Sequence, residues 1–374
     1  MKQLVDLFND AMDLACLGIF ERKQYLERDE EFYSKLLKKS LDKFALLNFM
    51  YTLAKDNNDN IFPTHETELF RMLSNDISEV IDNMPEEIKK SLQNTDWYYE
   101  DSLIHIGRNN SFYCTENLLD SINNSRKFSG VKDSKNKELE LASNYFIEKL
   151  FEKNQDEYCE IRDFFEHKKH CYITNTIYRK NDYIKEFKRK YEDIFEAAYE
   201  KFSYRPDKIK LCRHCGLVLR ELADGTLYCV SDRCAKKTKG FAEYDEVDIN
   251  DEIVVLRENI ARYIYYPGLL EQKIKKILGE NSIKPIMWPK KDTWDFEFDF
   301  NGVKWAIDAK DVKNPMYIIN DIANKEKIKD EYDKVIYVVP SDKRKEYLRV
   351  INDSIKNKQK FQCITLAEFR RLFL

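Results

Sequence analysis

No stretch of this 374-residue chain comes near the eighteen or so consecutive apolar residues that a bilayer-crossing helix needs, so no membrane span is expected. The first residues, Met1-Lys2-Gln3-Leu4-Val5-Asp6, bring in an acid too early for a secretory signal. There is no repeat of fixed period and no low-complexity tract. Cysteine is scarce: nine residues, odd in number and mostly scattered, argue against a disulfide framework and for a reducing, cytoplasmic setting. A strong charge of one sign is also missing, and a net charge of −4 does not by itself point to a polyanionic partner. Its distribution says more. Residues 1–205 carry 31 basic and 39 acidic side chains, 206–245 carry 8 and 6, and 251–374 carry 24 and 20. The positive excess thus falls in the C-terminal half, as a DNA partner would favour, although surface lysines alone would produce an excess this small.

What is present is a chain that folds: 43% apolar, 13% aromatic and 35% charged, and long enough for two or three domains. Residues 1–205 read as helical, with Phe32, Leu36, Leu37, Leu41 and Phe44, and later Leu139, Ala142, Tyr145, Phe146 and Leu150, at helical spacing. Polar breaks fall at Asp56–Asn60 and Ser129–Ser134. The many Tyr and Phe residues of this half are able to stack on bases, but at such spacing they serve more often as core.

Cys212 and Cys215 form one cysteine pair and Cys229 and Cys234 a second, with thirteen residues between the pairs. Gly216 permits a tight knuckle turn after the first pair, and Asp224-Gly225 between two apolar runs reads as a hairpin turn. Four thiolates so spaced suit tetrahedral Zn2+ in a structural ribbon that leaves no open position for catalysis. A redox pair or an iron-sulfur cluster is the alternative. His214, inside the knuckle, is not expected to be a ligand.

Near the C-terminus, Phe296, Phe298 and Phe300 alternate with Asp295, Glu297 and Asp299. Asn301-Gly302 follows, then Val303, Trp305, Ile307 and Ala309 alternate with Lys304, Ala306, Asp308 and Lys310. Two such runs around Asn-Gly predict a two-residue hairpin with Phe300 facing Val303, and hence Asp295 facing Asp308. Opposed carboxylates destabilise a hairpin. A divalent cation between them, with Lys310 beside it, would resolve the conflict and could activate a water. The plainer reading is a charged hairpin with surface ion pairs. Upstream, Leu270, Ile274, Ile277 and Leu278 form a helical stripe that Glu271 borders, with Gly279 as a stop. A carboxylate there needs a partner, and the same cation would serve.

A helix with Glu271, a strand with Asp295 and then Asp308-x-Lys310 resemble the PD-(D/E)xK nuclease superfamily, although Trp294 stands where the motif has proline. That resemblance implies an αβββαβ core, Asp295 and Asp308 as ligands of Mg2+ or Mn2+, Lys310 as the residue orienting or deprotonating the attacking water, and Glu271 in support. The downstream order fits it: a helix through Ile318, Ile319, Ile322 and Ile328, a strand at 334–340, a helix through Tyr347, Leu348 and Ile351, a strand at 361–364 and a last helix. Separately, Arg162 and His167 resemble the R-x4-H pattern of HEPN-type ribonucleases, which implies metal-independent RNA cleavage by two side chains on one helical face. His167 capping a helix end is the structural alternative.

Taken in order, Arg162–His167, the Leu-Cys-x-x-Cys-Gly segment, Tyr266–Glu271 and Trp305–Asp311 with Asn314-Pro315 resemble the restriction-endonuclease component of prokaryotic pPIWI-RE islands. The family implies restriction of phage or other invasive DNA beside a Piwi-like protein and a DinG-type helicase. The expected architecture is α+β and multi-domain: a helical region over 1–205, a four-Cys zinc ribbon over 206–248 and an α/β PD-(D/E)xK restriction-endonuclease-like domain over 249–374. The expected activity is Mg2+-dependent endonucleolytic hydrolysis of DNA. A non-catalytic zinc-ribbon DNA-binding adaptor is the second expectation, and the HEPN-like ribonuclease the third. Two cuts in a duplex usually need two active sites, which makes a homodimer an option.

Overall fold

Long apolar stripes make long helices, and the first two set the frame of the N-terminal part. Helices Lys2–Leu26 and Lys35–Lys55 bury Phe8, Ala11 and Ala15 with Leu37, Phe44 and Leu47, and the Phe8 ring meets Phe44 edge-on at 6.2 Å. The computed structural model describes residues 2–26, 34–55, 60–106, 112–115, 117–118, 121–122, 134–202, 207–221, 227–231, 234, 243–249, 251–326 and 332–373. The expected breaks at 56–60 and 129–134, the Asp224-Gly225 turn, Phe32 and Ile328 lie wholly or partly outside these residues.

The chain divides into two compact units, Met1–Lys137 with Val312–Tyr317, and Glu138–Asp311 with Ile318–Leu374. In the first, short helices Glu66–Leu73, Ile77–Asp82 and Glu86–Leu92 follow the long pair, and strands β1 (Ile104–Ile106) and β2 (Phe112–Cys114) form an antiparallel ribbon. The late segment closes this unit. Lys313 pairs with the buried Asp101 at 2.8 Å, its carbonyl accepts from the Glu100 N–H at 3.1 Å, and Asn314 Nδ2 donates to the Asp96 carbonyl at 3.0 Å.

The second unit begins within helix Ser134–Glu152, and helix Gln155–Glu166 follows, started by a capping box in which Asn154 and Glu157 satisfy each other's backbone N–H groups. Strands β3 (Tyr172–Thr174) and β4 (Tyr199–Lys201) flank a later strand in a three-stranded antiparallel sheet. The cysteine segment supplies β5 (Lys208–Cys212), β6 (Arg220–Glu221), β7 (Leu227–Tyr228) and β8 (Tyr244–Asp248), paired β5 with β8 and β6 with β7. The centre of the three-stranded sheet is β9 (Ile253–Leu256). Helix Tyr266–Glu280 then continues a π-helical stretch, Ala261–Tyr265. Pro267 has no N–H to give the preceding turn, and the helix widens just before it. The Gly279 stop is one residue early: the helix runs to Glu280 and the chain leaves through Ser282 at φ 59°.

A five-stranded sheet completes the unit: β10 (Ile286–Met287), β11 (Phe296–Phe300), β12 (Val303–Ala309), β13 (Lys334–Val339) and β14 (Phe361–Thr365), in that spatial order. The first three strands are antiparallel, and β13 and β14 add in parallel. Helix Pro315–Lys325 links β12 to β13, helix Lys345–Ser354 links β13 to β14, and helix Leu366–Arg371 ends the chain's regular structure. One face packs Phe296, Phe298, Trp305 and Ile307 against Leu270, Ile274, Ile277 and Leu278 of helix Tyr266–Glu280. The 205 boundary read from the sequence falls within this unit. A continuous apolar cluster joins Tyr158, Phe164, Phe187 and Phe195 to Leu217, Leu219 and all four clustered cysteines, and on to Tyr265 and Trp288.

Candidate active site and cysteine metal centre

The hairpin forms as its Asn-Gly turn dictates. Asn301 and Gly302 both adopt positive φ, 52° and 76°, and the register runs from Phe300↔Val303 through Phe298↔Trp305 to Phe296↔Ile307. Phe298 and Trp305 stack, with ring centroids 6.0 Å apart. The ladder ends there, one step short of the expected Asp295↔Asp308 pair. The Asp295 N–H donates instead to the Ile307 carbonyl at 3.0 Å, and its carboxylate curls over to accept from the Ala309 N–H.

Asp308 lies on the strand next to Tyr337 and is 2% exposed. Lys310 Nζ sits 2.9 Å from its Oδ1 and Lys325 Nζ 2.7 Å from its Oδ2. Burial alone would raise the Asp308 pKa, but the two ammonium groups outweigh it and hold the carboxyl below its ordinary value. Asp295 goes the other way. Burial, then the charges of Glu271, Asp308 and Asp292, push it well above the usual carboxylate range, with Lys310 opposing. Two adjoining buried carboxylates, one short of positive charge, are hard oxygen donors that fit a divalent cation such as Mg2+.

Glu271 is placed differently from the expectation. Its carboxylate takes a two-pronged contact from Arg162 Nη2 at 3.0 and 3.3 Å and a hydrogen bond from the Trp288 indole N–H at 2.6 Å. The partner this acid needed is therefore an arginine from helix Gln155–Glu166. Arg162 also donates to Glu166 at 2.9 Å, Asp292 at 3.0 Å and the Tyr158 hydroxyl at 3.3 Å, and its guanidinium centre lies 5.3 Å from the Trp288 ring centroid. One cation facing three carboxylates cannot neutralise them all. Burial and then the charge of Glu166 push Glu271 up to about 8, while burial takes Glu166 to about 7 against the pull of Arg162. Gly268 makes room for this network, since a Cβ there would lie 2.2 Å from Glu166 Cγ. Among the described residues, only the four cysteines form a group of three or more metal-ligating side chains with ligand atoms within 4.8 Å of one another, so Glu271 does not join Asp295 and Asp308 in a three-carboxylate cluster.

Arg162 and His167 have separate partners among the contacts described. The helix ends at Glu166, and His167 has left it at φ −81°, ψ 120°, where its ring accepts from the Lys169 N–H. The two side chains share no helical face, and Arg162 is committed to carboxylates. The His167 backbone N–H closes the helix end on the Phe164 carbonyl, while its ring caps the start of the short 3-10 turn Lys168–His170.

The cysteines come together. The Sγ atoms of Cys212, Cys215, Cys229 and Cys234 lie within 4.8 Å of one another, all four residues are buried, and Cys215 Sγ is 3.4 Å from Cys229 Sγ. Zinc–sulfur bonds of ~2.3 Å in a tetrahedron set sulfurs about 3.8 Å apart, so the cluster fits such an ion. Gly216 turns the first knuckle at φ 84°, its N–H donating to the Cys212 carbonyl at 2.7 Å, and the Ser231 N–H points at Cys229 Sγ at 3.4 Å. Hydrogen bonds from Cys215, Cys229 and Cys234 stabilise the Cys212 thiolate, and the same crowding with burial pushes the Cys229 thiol up. The Tyr265 hydroxyl donates to the Cys215 carbonyl and ties this segment to the π-helical stretch.

Sequence reasoning missed Lys325, the second ammonium on Asp308. Its only trace in the sequence is Asp321-x3-Lys325 on the helix that follows the hairpin, an i,i+4 pair closed at 3.2 Å. It also missed the counter-ion role of Arg162.

Residues 268–372 match a family described as "REase associating with pPIWI_RE". The matched segment carries Glu271, Asp295, Asp308, Lys310 and Lys325, and it supports a restriction-type nuclease. More narrowly, it supports a restriction-endonuclease component associated with pPIWI_RE. Arg162 and the four cysteines lie outside it. No curated protein and no solved structure matches the chain. Among the described residues no helix is long and apolar enough to cross a membrane.

Proposed function

We propose that the chain is a Mg2+-dependent DNA endonuclease of the PD-(D/E)xK type, acting in restriction of invasive DNA with a Piwi-like protein and a helicase as partners. The observation that carries this reading is the meeting of Lys310 with Asp308 at 2.9 Å, beside the buried and charge-coupled Asp295, within the family-matched segment. The sheet order and the helix bearing Glu271 accord with the αβββαβ arrangement of that superfamily. Asp295 and Asp308 would hold the cation. When bound, Mg2+ supplies Lewis acidity and a water acidic enough to lose its proton. The Lys310 ammonium stands where it stabilises negative charge developing on a phosphoryl oxygen. Glu271, held by Arg162 and Trp288, stands close enough for its charge to act on Asp295.

Cleavage of plasmid DNA by the zinc-loaded chain in Mg2+ or Mn2+, compared with Asp308→Asn, tests the reading. The variant is expected to lose nicking while keeping its thermal melt; undiminished nicking rejects the assignment. A second reading, a DNA-binding adaptor without catalysis, draws on the lysine contact at each oxygen of Asp308. Duplex binding without cleavage in either metal, with the partner proteins present, would favour it.

A further inference from the structure

Lys325 is the last residue of helix Pro315–Lys325, and its ammonium reaches the Asp308 oxygen that Lys310 leaves open. It is also held from three other directions. Asp321 Oδ2 lies 3.2 Å away, the Thr293 carbonyl 3.4 Å, and the Trp294 ring centroid 3.8 Å. Trp294 is braced in turn by edge-on contacts with Tyr332 and Tyr337 at 5.9 and 6.4 Å, and the Tyr337 hydroxyl donates to Asp321 at 2.7 Å. A lysine whose only task was to neutralise Asp308 would need none of this. The aromatic face and the second carboxylate form a seat for the ammonium that persists when Asp308 is given up. The tryptophan that departs from the motif's proline is the wall of that seat.

A divalent cation on Asp308 must take at least one of the two oxygens now engaged by lysines. Lys310, two residues on from Asp308, reaches Oδ1 and has no aromatic face against its ammonium among the contacts described; Lys325 has Trp294. We propose that Lys325 is a resident counter-ion of Asp308, which holds the carboxylate in the metal-free chain and withdraws onto Asp321 and the Trp294 ring when a divalent cation loads. Its ammonium thereby sets the affinity of the site. The inference rests on the reading of Asp308 as a metal ligand. It assigns Lys325 a positioning and regulatory role distinct from that of Lys310.

Mn2+ binding to the zinc-loaded full chain, read from the electron paramagnetic resonance of free Mn2+, separates this inference from the reading beneath it. Lys325→Met should bind Mn2+ about ten-fold more tightly than the native chain, the change that ~1.4 kcal/mol of relieved repulsion gives. Lys325→Arg, which keeps the charge, should stay near the native value. Asp308→Asn should abolish binding in every background. Unchanged or weaker binding by a folded Lys325→Met overturns the counter-ion role, provided that Asp308→Asn still abolishes binding. If Asp308→Asn binds as the native chain does, the metal-site reading itself fails. Should the methionine variant not fold, Lys325→Gln carries the same expectation.

Discussion

The cluster around Arg162 places one cation among three carboxylates, and its protonation should be legible in the stability of the second unit. Glu271 rises to about 8 and Glu166 to about 7 in the folded chain, against ~4.3 for an unfolded glutamate. A carboxyl whose folded pKa is raised keeps its proton after the unfolded chain has lost it. Stability is therefore greatest at low pH, and falls as pH climbs from the unfolded value to the folded one. Each such group contributes a slope of up to ~1.4 kcal/mol per pH unit within that window. Between about pH 5.5 and about pH 7.5, Glu271 alone accounts for a decline of about 2–3 kcal/mol. Glu271→Gln keeps the shape and an acceptor for Arg162 but has no proton to lose, so its stability should change less with pH. Gln mimics the protonated acid, so the variant should at least match the native chain at pH 5.5 and gain a further ~2–3 kcal/mol on it by pH 7.5. Urea midpoints followed by tryptophan fluorescence measure this. Three of the four tryptophans, Trp288, Trp294 and Trp305, lie in the second unit, and Trp97→Phe silences the fourth. Native and Glu271→Gln profiles that run parallel across the range would refute the raised Glu271 pKa.

Two further outcomes follow from the same contacts. Arg162→Met leaves Glu166, Glu271 and Asp292 without their common cation and should destabilise the second unit by about 3–5 kcal/mol at neutral pH, with the loss growing above pH ~8, as urea titration at two pH values will show. Cys229→Ser should lower bound zinc from one ion per chain, measured by elemental analysis, and should open the segment around residues 207–248 to proteolysis, since a four-thiolate site supplies folding free energy directly.

Periodicity and turn chemistry made much of the second unit readable in advance. Asn301-Gly302 sets a hairpin because both residues take positive φ, and the alternation of Phe296, Phe298 and Phe300 with acids leaves one workable register. The cysteine spacing with Gly216 announced a knuckle for equally local reasons. What was hidden is non-local. Nothing near Glu271 in the chain indicates that its partner is Arg162, more than a hundred residues earlier, or that Gly268 exists to admit Glu166. The step from Asp308 to Lys325 crosses a helix that reads as ordinary. The end of helix Gln155–Glu166 between Arg162 and His167 was equally hidden, since no single residue there marks it.

The late segment around Lys313 and Asn314 carries a consequence for biosynthesis. Asp101 is fully buried and takes its cation from Lys313, so the nascent N-terminal unit waits, with that acid lacking this counter-charge, until the ribosome has released more than two hundred further residues. The contacts of residues 312–317 therefore join this unit only after most of the second unit has been made. A chain cut between the two regions lacks the Lys313–Asp101 contact, and its N-terminal unit should melt at a lower temperature than the same unit in the whole chain.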